Sequence, residues 1–170
     1  MPRLHVCSLA LSAETVAKTG ARSLVTLLST GTEFERPMGI PPERHLYLAV
    51  SDIVEPMPGH VLPDATHLDG LLGFVRAWDR AAPMLIHCFA GVSRSTAAAY
   101  IAACALVPER DEFAIARALR AASPTASPNT RLVALADHAL GRRGRMNDGI
   151  AEIGRGQECM EGQPFALELN

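Results

Sequence analysis

Cysteine is scarce in this 170-residue chain: Cys7, Cys88, Cys104 and Cys159 stand far apart, and no two of them form a CxxC pair. Such spacing supplies neither a zinc site nor the dense framework of a small disulfide-stapled fold, so a reducing compartment is expected. The histidines show no metal-ligand spacing either, and no metal or cofactor is expected. An excess of charge of one sign is also lacking, since 16 Lys and Arg against 18 Asp and Glu leave a net charge of −2. That balance gives no broad field to hold nucleic acid or an anionic membrane surface, so neither is an expected partner and any anion must be bound locally. No apolar run reaches the roughly 18 to 20 residues that cross a bilayer. The apolar start over 4–11 is short, interrupted by His5 and soon followed by Glu14 and Lys18, which reads as a first strand and not as a secretory leader. The expected location is the cytoplasm.

Apolar material is what the chain does have: 48% of its residues are hydrophobic and 20% charged, enough for the core of one domain. The pattern predicts a strand over 3–8, a helix over 12–19 with Ser12 as N-cap and Gly20 as its terminator, and a buried strand over 23–28. A third strand is predicted over 45–50. The Pro- and Gly-rich stretch 51–63 that follows is a long loop, of a length often tied to function. Asp64 is placed to cap a helix whose Leu68, Leu71, Leu72, Val75 and Trp78 recur at helical spacing, ending near Ala82. A short apolar strand over 84–87 precedes helices over 95–106, 111–122 and about 129–140, the breaks falling at prolines. Strands alternating with helices, then helices alone, predict an α/β fold with a central, mainly parallel sheet of about four to five strands flanked by helices. Residues 1–141 are expected to form a single domain. Residues 142–170, with several glycines and no sustained periodicity, are expected to be a C-terminal tail packed on it or partly disordered. Arg142, Arg143 and Arg145 follow a helix end and are expected to complement its dipole, with a local anion patch as the alternative.

Between the strand that ends at His87 and the helix that follows lies Cys88-Phe89-Ala90-Gly91-Val92-Ser93-Arg94. A loop turned by Gly91 can point successive backbone N–H groups inward, and the helix that opens at its end adds its positive pole, so the centre of the loop is built for an anion. The same field favours the thiolate of a cysteine at that place, making Cys88 the candidate nucleophile. Arg94 suits the clamp, because a planar guanidinium donates two parallel hydrogen bonds to phosphate oxygens. His87 is expected to orient the loop through hydrogen bonds. The Ser95 hydroxyl can ease the departure of the sulfur; its simpler role is a helix cap.

The run His87-Cys88-Phe89-Ala90-Gly91-Val92-Ser93-Arg94-Ser95 resembles the HCxxGxxRS phosphate loop of the cysteine-based protein tyrosine phosphatases, most closely their small dual-specificity branch. The likeness extends weakly over 3–140 and strongly over 83–100. It implies the phosphotyrosine protein phosphatase-like fold and hydrolysis of phosphate monoesters through a phosphocysteine intermediate on Cys88, without metal. The phosphate would be bound by Phe89, Ala90, Gly91, Val92, Ser93 and Arg94, and phosphate, sulfate or vanadate would occupy the same loop. The implied partner is a phosphorylated protein or a small phosphoester.

Such a reaction needs a proton donor for the leaving oxygen. Ser51-Asp52-Ile53 resembles the acid loop of these enzymes and makes Asp52 the choice, although its separation from Cys88 implies an insertion in the loop. Glu55 is the runner-up; Asp64 is better explained as a helix cap, and Asp69 lies inside a helix. The stretch from Ala122 to Asn129 resembles the segment that places an asparagine beside the phosphate loop, so Asn129 is expected to hold that loop or the attacking water, to cap the helix after it, or both. His60 is expected to be a solvated loop residue, and Cys104 to be core. A disulfide between Cys88 and Cys7 or Cys104 is the redox alternative. The competing readings are a sulfurtransferase or arsenate reductase, which the position and pattern of Cys88 do not fit, and a binding module without turnover. The loop carries no lysine, which favours phosphoprotein over inositol lipid.

Overall fold

The computed structural model describes residues 2–170. Its sheet holds β1 (Arg3–Ser8), β2 (Ser23–Leu28), β3 (His45–Ala49), β4 (Met84–Cys88) and β5 (Phe165–Glu168) in the order β3-β2-β4-β1-β5. The first four run parallel, and β5 pairs antiparallel with β1. β4 is central and buried throughout, as expected of an apolar strand covered on both faces. Strand alternation divides the core. Leu4 and Val6 of β1 join Met84, Ile86 and Cys88 of β4 beneath α2 (Ala65–Ala77), α3 (Arg94–Leu106), α4 (Glu112–Ala122), α5 (Thr130–Ala139) and α6 (Arg145–Ile153). Cys7, Leu24 and Leu85 face the other way, toward Val16 of α1 (Ser12–Thr19).

α3 runs from the end of β4 through the middle of the helical layer, and every residue from Arg94 to Cys104 is buried. Its alanines allow this, since a helix buried all round needs small side chains where its neighbours approach. The Asp64 cap forms as a reciprocal box: Asp64 Oδ1 accepts from the N–H groups of Thr66 and His67, and His67 Nδ1 accepts from the Asp64 N–H. Gly20 closes α1 in the left-handed conformation, φ 70°.

Three expectations need correction. Leu11, not Ser12, occupies the N-cap of α1; the Ser12 hydroxyl instead donates to Leu9 O at 2.9 Å. α2 stops at Ala77, short of Ala82, because Trp78 turns out of the helix and its buried indole N–H donates to Ala82 O at 3.0 Å. Arg142 and Arg145 are not a free anion patch, since both grip Glu112 on α4, with Arg142 Nη1 at 2.8 Å and Arg145 Nη2 at 3.1 Å from Oε1; Arg142 Nη2 also donates to Cys104 O in the last turn of α3 at 2.8 Å. Burial of Glu112 works against its charge, but the hydrogen bonds from Arg145 and Arg142 prevail and hold its carboxyl below the usual range. The segment after residue 141 contributes α6, which buries Met146 and Ile150, and the edge strand β5.

Candidate active site

Ligands in parallel sheets gather beyond the carboxyl ends of the strands, and there β4 delivers Cys88. The five residues after it form a loop whose geometry follows from where its carbonyls are held. Phe89 O accepts from Leu9 N–H at 3.1 Å, Ala90 O from Gly162 N–H at 2.9 Å, Val92 O from Ser127 N–H at 2.9 Å, and Ser93 O from Asn129 N–H at 3.1 Å. Cys88 O accepts from His87 Nδ1 at 3.1 Å. No peptide bond is cis, and in a trans peptide the N–H points opposite to the C=O. Pulling these carbonyls outward therefore turns the N–H groups inward. Among the described residues, the N–H groups of Phe89, Ala90, Ser93 and Arg94 have no protein acceptor, while that of Gly91 donates to Cys88 Sγ at 3.3 Å. Gly91 is required here, since its φ is +72° and a Cβ would lie 2.7 Å from the carbonyl carbon of Cys7.

At the floor of the loop Cys88 is 2% exposed, with its Sγ 3.1 Å from Ser95 Oγ. Ser95 is the second residue of α3, whose N-cap position belongs to Ser93, so the capping alternative for Ser95 does not apply. Arg94 is 7% exposed. Its Nη1 donates to Val50 O at 2.9 Å and Ser29 Oγ at 3.2 Å, whereas its buried Nε has no partner. An unpartnered buried guanidinium N–H is costly unless a ligand accepts from it, and the loop that leads into Arg94 adds N–H groups of its own without protein acceptors. The residues present fit an oxyanion with several acceptor oxygens.

Asp52 stands at the rim. Its Oδ1 accepts from Ser93 Oγ at 2.7 Å and from Asn129 Nδ2 at 2.9 Å. The loop that carries it is pinned at its base, because Ser51 N–H donates to Val61 O and Val61 N–H to Ser51 Oγ, both at 2.9 Å. Asn129 also caps α5, its Oδ1 accepting from Leu132 N–H at 3.0 Å. Glu55 and His60 are exposed and make no side-chain bond to the loop, and Asp69 lies in α2. A cleft of about 1630 Å³ opens beside Asp52 and Ser93, lined partly by Ile53, Val54, Met57 and Val133, but it does not reach Cys88.

Behind the loop, His87 Nε2 lies 2.8 Å from Thr26 Oγ1, which lies 2.9 Å from His45 Nε2. Burial pushes His87 down to about 4, so it is neutral at pH 7. Cys7 and Cys104 are core: burial raises the first thiol to about 11 and the second to about 12. Cys7 faces the opposite side of the sheet from Cys88. Pattern reading missed Ser29, the Val50 carbonyl, Thr26, His45 and Gly162. Only Thr26 left a signal, as a polar residue in the middle of a mostly apolar buried strand.

No family model and no curated protein matches the chain. Solved structures do. Human DUSP28 shares 20% identity with a TM-score of 0.62 over 82% of this chain and 94% of its own. DUSP15 shares 17% with a TM-score of 0.63 over 88% and 89%, and PTPMT1 in complex with PI(5)P shares 16% with a TM-score of 0.57 over 83% and 94%. The chain therefore has the α/β fold of these dual-specificity phosphatase structures.

Proposed function

We propose that this protein hydrolyses phosphate monoesters through a phosphocysteine intermediate on Cys88, with phosphorylated protein, phosphotyrosine in particular, as the substrate class. The observation that carries this is Arg94: anchored through Nη1 at the end of a loop whose N–H groups lack protein acceptors, it keeps a buried Nε without a partner. Phosphate, sulfate or vanadate is the ion expected there.

The Cys88 thiolate attacks phosphorus; the S–P bond forms as the bond to the leaving oxygen breaks, and that oxygen takes a proton from Asp52. Arg94 and the loop N–H groups hold the equatorial oxygens as charge builds on them. Asp52, now a carboxylate, takes a proton from water, the water oxygen attacks phosphorus, and the S–P bond breaks to return the thiolate, which accepts a hydrogen bond from Ser95. Inorganic phosphate leaves. Besides substrate and the attacking water, the scheme as written uses only groups of this chain. Asp52 suits its part because its Oδ1 is held by Ser93 and Asn129 while Oδ2 accepts no hydrogen bond from the described residues. The absence of lysine from the loop supports phosphoprotein over an inositol lipid, whose extra phosphates call for further cations. A reduced nucleophile also fits a cytoplasmic location, and no helix of the described residues is long and apolar enough to cross a membrane.

The test is release of phosphate from p-nitrophenyl phosphate by the purified protein in the presence of a metal chelator, with inhibition by vanadate. Cys88→Ser is expected to abolish release. Full activity in that variant overturns the mechanism; binding of vanadate without turnover by the native protein identifies a phosphate-binding module instead. A Cys88→Ser or Asp52→Ala trap in a lysate then separates phosphoprotein from small phosphoester substrates.

A further inference from the structure

Two histidines and one hydroxyl form a line behind the loop that the reaction scheme leaves unused. We propose that Thr26 and His45 are positioning residues for the phosphate loop, the single Thr26 hydroxyl locking His87 and His45 in opposite tautomers and so holding the Cys88–Phe89 peptide with its N–H turned toward the anion. The inference rests on the proposed phosphatase reaction for its consequence, and on geometry for its content.

The proton arrangement follows from chemistry at each atom. Cys88 O can only accept, so the His87 Nδ1 that lies 3.1 Å from it carries a proton. His87 is fully buried and neutral, which leaves a lone pair on Nε2. Thr26 Oγ1, at 2.8 Å, must then donate to it. A hydroxyl has one proton, so toward His45 Nε2 at 2.9 Å the same oxygen accepts, and His45 carries its proton on Nε2. The reverse order would set an unprotonated His87 Nδ1 against the carbonyl oxygen of Cys88, two lone pairs facing one another. Cys88 O therefore decides the direction of the whole line.

The surroundings fix the rings that make it. Phe34 stacks on His87 with centroids 5.3 Å apart and an interplanar angle of 24°, and lies 5.4 Å from His45. Thr26 is fully buried between them, paired in register with His87 on one side and with Tyr47 on the other. The charged groups that bear on the line are Arg36 at His45 and Arg94 at His87; both oppose a second proton on their histidine. With Cys88 O drawn toward His87, the trans peptide sends the Phe89 N–H to the opposite side, into the loop. Loss of the Thr26 proton donor would leave His87 free to turn or to change tautomer, and the first N–H of the loop would lose its aim.

The experiment uses the full chain labelled with ¹⁵N at histidine. Long-range ¹H–¹⁵N spectra at pH 7 are expected to show His87 protonated at Nδ1 and His45 at Nε2. Thr26→Val, which keeps the shape and removes the hydroxyl, is expected to mix the His87 tautomers, to lower kcat on p-nitrophenyl phosphate about tenfold, as loss of a partner by a buried polar group commonly does, and to weaken vanadate inhibition. Thr26→Ser is expected to restore all three. Native His87 protonated at Nε2 overturns the proposal whether or not the protein turns over substrate. So does a Thr26→Val variant with native spectrum and kcat, or a Thr26→Ser variant as impaired as Thr26→Val. Native protein with the expected tautomers and no turnover supports the line and sinks the phosphatase reading alone.

Discussion

Ser93 and Asn129 both donate to one oxygen of Asp52, so substitutions at Asp52 can separate its proposed chemistry from its hydrogen bonding. Asp52→Asn keeps the size of the side chain and removes the transferable proton; kcat is expected to fall by roughly 10² to 10⁴, the usual worth of an acid–base group, with vanadate inhibition preserved. Steady-state kinetics against p-nitrophenyl phosphate check this, and a normal Asp52→Asn variant alongside an inactive Glu55→Gln would move the role to Glu55. The cysteines divide just as sharply. Cys7 and Cys104 are buried thiols with ionisation pushed up to about 11 and about 12, whereas Cys159 is exposed. Since the thiolate is the reactive species, iodoacetamide is expected to label Cys159 and Cys88 and to leave Cys7 and Cys104 untouched, with vanadate protecting Cys88. Peptide mapping of the native protein reads all four sites at once.

Among the elements, the strap from Gly154 to β5 has no regular structure but is held closely by hydrogen bonds. Gly156 N–H donates to Ser127 Oγ, Gln157 N–H to Pro124 O and Gly162 N–H to Ala90 O, each at 2.9 Å, and the Ser8 hydroxyl donates to Glu161. A Cβ on Gly162 would stand 2.9 Å from Gly91 O, backbone against backbone, so Gly162→Ala must lift the strap off the loop or push the loop inward. Vanadate inhibition is expected to weaken roughly 3- to 10-fold, the equivalent of the ~1 kcal/mol typical of a single substitution. Gly73 supplies the contrast. It lies exposed inside α2 with open space where its Cβ would be, so Gly73→Ala is expected to raise the unfolding free energy by about 0.5–1 kcal/mol and leave kcat unchanged. Thermal melts and kinetics on the pair distinguish an element that aims the loop from one that merely supports it.

For the molecule as a whole, the buried histidine dictates how stability responds to pH. His87 is pushed down to about 4, chiefly by burial and further by His45 and Arg94, while in the unfolded chain it takes up its proton near 6.5. Between those values the unfolded state binds more protons, so stability falls as pH drops from about 6.5 to about 4, by roughly 3 kcal/mol from His87 alone. His5 and His45, both lowered first by burial, act in the same direction. Urea unfolding at pH 7 and pH 4.5 is expected to show this loss, and His87→Gln to flatten the slope; an equal slope in the variant would assign the pH dependence elsewhere.

The order of strands and helices through residue 140 is legible in the chain because local rules suffice: period-2 and period-3.6 apolar patterns, an Asp64 cap, and prolines at the breaks. So is the pairing of Cys88 with Arg94, whose spacing across one turn of loop is itself local. β5 escaped because four residues carry too little alternation to read, and their place was decided by the open edge of β1. The grip of Arg142 and Arg145 on Glu112 was equally hidden, since it joins residues 30 and 33 positions apart. The same holds for what surrounds the loop. Ser29, Val50 O, Gly162 and the line from His45 through Thr26 to His87 come from four separate stretches of sequence. Their shared position exists only once the sheet has set β2, β3 and β4 side by side, and it is there that the proposed anion site acquires its outward-held carbonyls and its anchored guanidinium.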